Sequence, residues 1–563
     1  MTDIGFRNKL ESALLTRFGF FWGFVQKIPF LRQRLNRFLL NRAIMRTKVR
    51  PHQYSLLTDY TSWDSLTQRQ YTGRHLPVAD ERYVKRLPDL DDVVDLFERQ
   101  RDSEGRYRLS PKSTLLFTNF AQWFTDGFLR TYRDDNDPQA FRRNTSNHEI
   151  DLCQIYGLNQ KQTAQLRSHQ DGKLKTSIHV GNEFPPLYFD EEGNPKPEFS
   201  EVTPMIPPSV MRSERKDLMF VGGVERLNVQ IGYVMMNTLF VREHNRICDQ
   251  LKASNPGWAG DDERLFQTAR NILIVILLRI VIEEYINHIT PYHFKFFLDP
   301  SPIRKAEWYR TNWMTMEFNL LYRWHSMIPD KVYVRNQFED LPATLFNNRI
   351  VRERGLGGAF EDASSQVTAD VGLLNTHEAL VHTERAALDL GRKAKLRSYN
   401  EYRELFGFPK VTRWDQISDR KEVRDRLSAL YESPDQVELF TGLFAEDVRE
   451  GSALSPLIGR MVGVDAFSQA LTNPLLSVNV FNEDTFTKVG MEIINSTNSL
   501  SQLLHRNLGT DSGSTYKIKM TQDGTEVPLL SVGPARASVT ETPAEESLEA
   551  IREYGADDVF KYK

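Results

Sequence analysis

Apolar residues recur at three- and four-residue spacing through the middle of the chain, which is the pattern of helices with one buried face. Four segments show it most clearly, namely Thr114 to Arg130, Val229 to Leu251, Glu263 to His288 and Met314 to His325. Strand-like alternation is scarce, and no internal repeat is visible. The pattern therefore predicts a mainly α fold whose helical region covers residues 111–510.

Two of these segments carry a further prediction about burial. The most apolar run, Ile272 to Ile282, contains Arg279 and is shorter than the roughly 20 residues that a spanning helix needs, so we expect a buried helix. The string Arg242 to Arg246 places charge beside an apolar run. Because buried charge must be paired, the string predicts an internal ionic network, with a solvated helix edge as the alternative.

The amino-terminal 50 residues differ from the rest in charge and aromatic content. Between Arg7 and Arg50 there are eleven Lys or Arg residues and one acid, Glu11, with phenylalanines interleaved. This combination predicts short amphipathic helices, interrupted near Gly23 and Pro29, that lie in one leaflet of a membrane. The alternative is a basic arm packed on the protein itself. Single-stranded nucleic acid would also suit interleaved aromatic residues, but nothing else in the chain supports it.

The remaining segments flank the helical region. Residues 51–110 have little periodicity and predict a connecting segment that wraps the catalytic domain. Residues 511–563 are rich in Gly, Ser, Thr and acidic residues and predict a poorly packed tail.

Composition narrows the class of protein further. A chain of 563 residues can bury a large core. The net charge of −3 gives no overall reason to expect nucleic acid. Only Cys153 and Cys248 occur and no secretory signal is evident, so we expect a reducing, cytoplasmic setting.

The segment EFNLLYRWHSMIPD places Tyr322 and His325 three residues apart. On a helix, this spacing puts both side chains on one face, with their Cβ atoms roughly 5–6 Å apart. A neutral imidazole can ligate haem iron, and a tyrosine one turn away could lose an electron to an oxidised haem. The spacing alone is more often that of two core residues.

A second polar pair lies in TNFAQWFTDGFLRT, where Gln122 and Asp126 are four residues apart on an apolar helix. In a distal haem pocket, Gln122 could donate a hydrogen bond to bound oxygen and Asp126 could move a proton. The alternative is an exposed polar edge with an i,i+4 pair.

These segments resemble, in order and in detail, the cyclooxygenase branch of the animal haem peroxidases. Beside the two strings above, similar strings are FGFFWGFVQKIPFLR, HEIDLCQIYG, DGKLK, FPPLY, REHNRICD, LFQTARNILI, ITPYHFKF, SYNEYRELFGFPK and EIINSTNSLSQLL. The resemblance covers roughly residues 13–508. It implies the family's fold, one haem b per chain, and membrane-binding helices at the amino terminus.

The resemblance also implies roles for single residues. Tyr322 matches the radical tyrosine and His325 the proximal haem ligand, with Gln122 and Asp126 on the distal side. The substrate-binding residues that it implies are Tyr292 at the channel mouth, Arg42 or else Arg46 for the carboxylate, and, along the channel, Ile282, Ile286, Ile289, Phe318, Leu321, Trp324 and Ser468.

Three departures from the family pattern stand out. Asp126 replaces the distal histidine and, with a reference pKa of about 3.9, is a poor proton acceptor, which questions efficient peroxidase turnover. The growth-factor-like module with its disulfides is missing. Val462 falls near the family's channel-end glutamate.

The resemblance implies that haem, oxidised by a hydroperoxide, converts Tyr322 to a radical that takes a bis-allylic hydrogen from a polyunsaturated fatty acid such as linoleate. O2 then adds, and we expect a fatty-acid hydroperoxide. The alternatives are a true cyclooxygenase with a prostaglandin-type endoperoxide, a plain haem peroxidase, and a membrane-associated interaction protein without turnover. The expected partners are the fatty acid, O2, a membrane surface and a second copy in a homodimer.

Overall fold

The structure is a computed structural model that describes residues 3–45, 71–132, 134, 136–300, 306, 308–309, 312–509 and 513–527. Helices dominate the described residues, which confirms the predicted mainly α class. The helices are α1 Phe6–Arg17, α2 Gly19–Gln26, α3 Pro29–Met45, α4 Glu81–Val84, α5 Leu90–Val94, α6 Leu115–Thr125, α7 Cys153–Tyr156, α8 Gln160–Leu166, α9 Pro208–Met211, α10 Ile231–Ser254, α11 Asp262–Ile280, α12 Ile286–Ile289, α13 Met316–Leu321, α14 Leu341–Thr344, α15 Arg349–Arg354, α16 Leu356–Ser364, α17 Val381–Lys393, α18 Tyr399–Leu405, α19 Lys421–Leu430, α20 Leu439–Ala445, α21 Pro456–Leu471, α22 Glu483–Ser496 and α23 Leu500–His505.

The strands are short and pair two by two, without forming a larger sheet among the described residues. The antiparallel pairs are β1 Leu109–Thr114 with β6 Val367–Ala369, β2 Ser177–His179 with β3 Asn182–Phe184, and β4 Lys331–Val334 with β5 Gln337–Asp340. They tie loops together and leave the core to the helices.

Helices α10 and α11 form the centre of the core, and most of their residues are buried. The predicted burial of the Arg242 to Arg246 string is confirmed, because the fully buried Glu243 accepts hydrogen bonds from Arg246, Arg506 and Asn507. The pKa of Glu243 is lowered: burial alone would raise it, and the two guanidinium groups outweigh that effect.

The helical run Asp262–Ile289 is long and apolar enough to cross a membrane, but 78% of its most apolar window is buried inside the protein. The predicted buried helix is therefore confirmed. It is not regular throughout, since Val281–Tyr285 forms a π-helical turn between α11 and α12. Such turns frequently occur at functional sites because they re-aim side chains.

Helix α13 ends sooner than the sequence pattern predicts. It stops at Leu321, Tyr322 is its C-cap, and His325 begins a separate 3₁₀ turn, His325–Met327. The prediction that Tyr322 and His325 share one face of one helix is therefore wrong. The apolar spacing continues across the break because Trp324 and Met327 still pack into the core, and periodicity alone does not show where helical hydrogen bonding stops.

Helices α1 to α3 occupy the predicted amino-terminal helical region. The chain breaks before Pro29 as predicted, but Gly23 lies inside α2 and the other break falls at Phe18. Gly23 does not interrupt the helix because nothing crowds it or requires a left-handed conformation there.

Residues 513–527 correct the prediction of a poorly packed tail over 511–563. Thr521 pairs with Ser113, Val527 pairs with Gln366, and Met520 is buried. Backbone hydrogen bonds to β1 and to the end of α16 hold this segment despite its polar composition. Residues 528–563 lie outside the described residues, as do residues 51–70 of the predicted connecting segment.

Candidate active site

Tyr322 lies in an aromatic cage built by its own loop. Phe318 packs edge-on against its ring at 5.0 Å, and the ring of Trp324 lies 4.9 Å away, both between centroids. The indole nitrogen of Trp324 donates to the Leu321 carbonyl, which fixes the loop just after α13. Three of the residues that sequence resemblance points to, Phe318, Leu321 and Trp324, are therefore grouped around Tyr322.

The hydroxyls of Tyr322 and Tyr285 are both buried and close to each other, and neither has a hydrogen-bond partner elsewhere among the described residues. Burial raises the pKa of the Tyr322 phenol, the charge of Asp465 adds to the effect, and the interaction with Tyr285 lowers it. Burial also raises the pKa of Tyr285, and Tyr322 adds to that effect. Leaving a buried hydroxyl unpaired costs roughly 1–3 kcal/mol, so each phenol is the available partner of the other.

His325 is held by a network that clamps its 3₁₀ turn. The carbonyl of Ser326 accepts from Arg99 and Asn375, and the Ser326 hydroxyl accepts from the backbone of Gly372. Arg99 is also paired with Asp330. The position of the imidazole is therefore set by residues of the 372–376 segment rather than by helix α13.

The imidazole of His325 is partly exposed and contacts one carboxylate. Its buried Nδ1 lies 3.2 Å from Oε1 of Glu384 on α17, without the geometry of a hydrogen bond. The side chain is 23% exposed although its neighbours Trp324 and Ser326 are buried. A partly exposed imidazole can offer a nitrogen to haem iron.

Helix α6 presents Gln122 as its one exposed residue, since every other residue of α6 is buried. Phe117 on this helix stacks on Trp324, which places α6 beside the His325 loop. The Gln122 amide oxygen accepts a hydrogen bond from Gln230 and not from Asp126. The i,i+4 pair considered from the sequence does not form.

Asp126 is the centre of a buried ionic cluster at the end of α6. Its carboxylate accepts from Arg226 at 2.9 Å, from the Tyr233 hydroxyl at 2.8 Å and from Arg130 at 3.3 Å. Arg130 also pairs with Glu225. Both oxygens of Asp126 are therefore engaged by donors.

The same cluster shifts the pKa values of its members. Burial alone would raise the pKa of Glu225, but Arg130 and Arg226 lower it to about 2. Burial raises the pKa of the Tyr233 hydroxyl, and its hydrogen bond to Asp126 adds to this. The two arginines thus favour the charged form of Glu225, which is a poor proton carrier at neutral pH.

The channel residues implied by the resemblance are all buried. Ile282, Ile286 and Ile289 lie on the π-helical turn and α12, and Ser468 lies on α21, where its hydroxyl donates to the Asp465 carbonyl. Asp465 itself is fully buried and lies 3.1 Å from His75. A charged pair beside this helix was not expected from the sequence, because its members are far apart in the chain.

Tyr292 lies where helix α1 meets the body of the protein. Its loop is joined to α1 by a backbone hydrogen bond from His293 to Leu15. Arg42 forms an ion pair of 3.4 Å with Glu11. Arg46, the other candidate for the carboxylate, lies outside the described residues.

Two arginines near Tyr292 escaped the sequence reasoning. Arg449 donates to the Ser12 hydroxyl, and Arg460 donates to Asn8 and to the Phe406 carbonyl. Burial lowers the pKa of both guanidinium groups, Tyr292 acts in the opposite direction, and no carboxylate among the described residues pairs with either. Two half-buried cations without a carboxylate among these residues are candidates for binding an anion.

These residues fit a haem. Within the described ranges, no group of three or more His, Cys, Asp or Glu side chains is arranged to hold a metal ion directly. A haem iron needs only one or two protein ligands, and the partly exposed His325 could supply one. His325 would hold the iron, and Gln122 is the exposed residue of the helix that packs beside the His325 loop.

Comparison with known proteins gives the family. The sequence profile of the animal haem peroxidase family matches residues 117–518. Prostaglandin G/H synthase 2 of Oryctolagus cuniculus is 33% identical over 507 residues, which are 88% of this chain and 80% of that protein.

Solved structures agree on the fold. The fatty acid alpha-dioxygenase of Arabidopsis thaliana superposes with a TM-score of 0.65 at 17% identity, over 92% of this chain and 90% of that one. The Oryza sativa fatty acid alpha-dioxygenase with palmitic acid gives a TM-score of 0.64 at 17% identity, over 92% and 97%. With the profile match over most of the chain and the identity to prostaglandin synthases, the chain belongs to the animal haem peroxidase family and is a haem-dependent oxidoreductase.

Proposed function

We propose that this protein is a fatty-acid dioxygenase in which Tyr322 takes a bis-allylic hydrogen atom from a polyunsaturated, linoleate-like fatty acid. The observation that carries the proposal is the buried hydroxyl of Tyr322, whose available hydrogen-bond partner among the described residues is another phenol, Tyr285, and whose ring is held in an aromatic cage three residues before His325. A plain peroxidase, which oxidises small reductants at the haem edge, has no use for such a phenol.

The proposed reaction uses Tyr322 as a reversible hydrogen-atom carrier. A haem held by His325 would supply the oxidising equivalent: after reaction with a hydroperoxide it would accept one electron from the phenol, whose proton would pass to the oxygen left by the peroxide. The phenoxyl oxygen then takes a hydrogen atom from the fatty acid, and O2 adds to the carbon radical. The peroxyl radical takes the hydrogen atom back from Tyr322, which leaves a hydroperoxide and the original radical.

In this scheme the protein positions the phenol of Tyr322 and protects it from ionisation. Phe318 and Trp324 hold the phenol ring, and burial keeps its proton in place until oxidation because the ionised form is disfavoured. The carbon nearest the phenoxyl oxygen reacts, so placement of the chain selects the product.

We assign the carboxylate of the fatty acid to the arginines near Tyr292. Arg42 is already paired with Glu11, whereas Arg449 and Arg460 have no acidic partner among the described residues. A guanidinium group binds a carboxylate through two parallel hydrogen bonds, and burial strengthens the attraction.

A hydroperoxide is the product we favour, with a prostaglandin-type endoperoxide as the second candidate. The 33% identity to a prostaglandin synthase supports the second candidate. Against it, the buried Val462 stands where that branch has a glutamate, and Asp126 stands in place of the distal histidine. Palmitic acid is bound in the rice relative's structure, which supports a fatty acid as the substrate class.

The amino-terminal helices support delivery of substrate from a membrane surface on the cytoplasmic side. Large apolar side chains that face solvent concentrate there, with Phe6 82% and Phe20 93% exposed. Helix α1 reaches Arg449 and Arg460 through Ser12 and Asn8. A fatty acid leaving the membrane beside these helices would therefore meet the arginines first.

Oxygen uptake tests the reaction. Haem-loaded protein given linoleate and a trace of hydroperoxide should consume O2, Tyr322→Phe should abolish uptake, and the control Tyr333→Phe on strand β4 should not. Chiral chromatography with mass spectrometry then separates hydroperoxide from endoperoxide. Uptake that persists in Tyr322→Phe would refute the radical mechanism.

Sedimentation with anionic liposomes tests the membrane surface. Phe20→Glu together with Phe24→Glu should release the protein from the liposomes, because each places a charge on an exposed apolar side chain of α2. The control is Ile178→Glu, at an equally exposed apolar residue far along the chain. Equal binding by both variants would contradict the proposal.

A further inference from the structure

Glu384 is a buried carboxylate that the residues of the proposed reaction do not explain. It lies on α17 with 1% of its surface exposed, and its Oε2 has no hydrogen-bond partner in the described part of the chain. Its Oε1 accepts from the Thr376 hydroxyl at 2.9 Å and lies 3.2 Å from Nδ1 of His325. Among the described residues, His325 is its only ion-pair contact.

Such a carboxylate is unfavourable unless something nearby compensates it. A buried charge without a cationic partner is strongly destabilising, and one hydroxyl donor does not remove the cost. His325 is the neighbour that can compensate it, because an imidazole bound to iron through Nε2 keeps its proton on Nδ1, directed at the carboxylate.

The scaffold holds the two groups in this relation. Thr376 contacts Glu384, and its neighbour Asn375 donates to the Ser326 carbonyl in the turn of His325. Both residues belong to one short segment, so the carboxylate and the imidazole are tied to the same piece of backbone. At 3.2 Å the two atoms are within hydrogen-bonding distance but lack the geometry of a hydrogen bond, which a rotation of the ring would supply.

We propose that Glu384 is the positioning residue of the haem site: its carboxylate accepts the Nδ1 proton of His325, directs Nε2 at the iron and makes the imidazole a stronger electron donor. The inference rests on the proposed role of His325 as the haem ligand. A carboxylate in this place raises ligand basicity, which strengthens the iron–histidine bond and favours the ferric over the ferrous state.

The test uses haem-loaded protein without fatty acid, so it does not depend on oxygenation. In Glu384→Gln, the iron–histidine stretching band of the ferrous protein, measured by resonance Raman, should move to lower frequency. The ferric/ferrous midpoint potential should rise, and haem should dissociate roughly 10- to 100-fold faster. The control Asp389→Asn removes an exposed negative charge from the same helix and should change none of these.

A second variant tests the same hydrogen bond in the opposite direction. Thr376→Val removes the hydroxyl that competes for Oε1, so the stretching band should move to higher frequency and the midpoint potential should fall. If Glu384→Gln does not fold, Thr376→Val carries the test. Unchanged bands and potentials in these variants would overturn the proposal.

Two further results separate this proposal from the proposed reaction. Shifted bands in a protein that does not oxygenate linoleate would support the role of Glu384 while the dioxygenase function fails. An iron–histidine band that survives His325→Ala would show that another residue is the ligand, and the role of Glu384 would fall with it.

Discussion

The two sides of the candidate site treat their polar groups in opposite ways. On the channel side, which comprises Tyr322, Tyr285, Arg449 and Arg460, the two hydroxyls have only each other and the guanidinium groups have no carboxylate partner among the described residues. In the distal cluster, which comprises Asp126, Arg130, Glu225, Arg226 and Tyr233, each charged group is paired with one of opposite sign.

This difference bears on which side of the candidate site is available to a substrate. Polar groups with few partners are costly, so we expect a substrate to bind on the channel side. The carboxylate of Asp126 accepts from three donors, which hold it in place. The substitution that removes the family's distal histidine thus comes with an ionic cluster that the sequence reasoning did not include.

The largest effect should follow from His325→Ala, which removes the imidazole of the candidate site. The protein should lose the Soret band of bound haem and all O2 uptake, because His325 is the proposed iron ligand. Absorbance after haem reconstitution measures this. His169→Ala, at an exposed histidine, should keep the band, and a normal band in His325→Ala would contradict the assignment.

Asp126→Ala should next destabilise the protein by about 3–5 kcal/mol, because it leaves Arg130 and Arg226 buried or half-buried with one carboxylate between them. Urea unfolding measures the change. The matched control is Asp91→Ala, which breaks the exposed pair with Arg385 and should cost less than about 1 kcal/mol. If both variants lose the same stability, the distal cluster is not the structural unit we describe.

Lowering the pH should weaken the distal cluster, because Glu225 becomes protonated. Its pKa is lowered to about 2 in the folded protein, so it contributes stability that is complete above its ordinary pKa and is lost as pH falls towards 2. The contribution is at most roughly 3 kcal/mol. Glu225→Gln should therefore be less stable than the unchanged protein at pH 6 and nearly equal to it at pH 2.5. A difference independent of pH would count against the pairing.

The smallest effect, on binding alone, should follow from Arg460→Leu on the channel side. The KM for linoleate should rise roughly 10- to 100-fold with little change in kcat, since a charge-assisted hydrogen bond contributes about 1.5–3 kcal/mol. Methyl linoleate, which has no charge, should show no such rise. Arg413→Leu, at an exposed arginine paired with Asp415, is the matched control. An equal effect on acid and ester would exclude a carboxylate site.

Local patterns in the sequence determined the class of the fold and the identity of its central residues. Apolar spacing predicted the helices α6, α10 and α11, and the pairing of Arg246 with Glu243 followed from the need to neutralise buried charge. Spacing failed at Tyr322, because apolar periodicity continues past the residue where the helical hydrogen bonds end.

Only the tertiary structure decided which groups have partners. Asp126 meets Arg226 across 100 residues of chain, and His325 meets Glu384 across a separation that no local spacing encodes. Pairing of charges depends on distance in space and on exclusion of water, and both arise only when the helices pack. The sequence by itself singled out Tyr322 and His325, and the packed fold showed that the first lies close to Tyr285 and the second close to the carboxylate of Glu384.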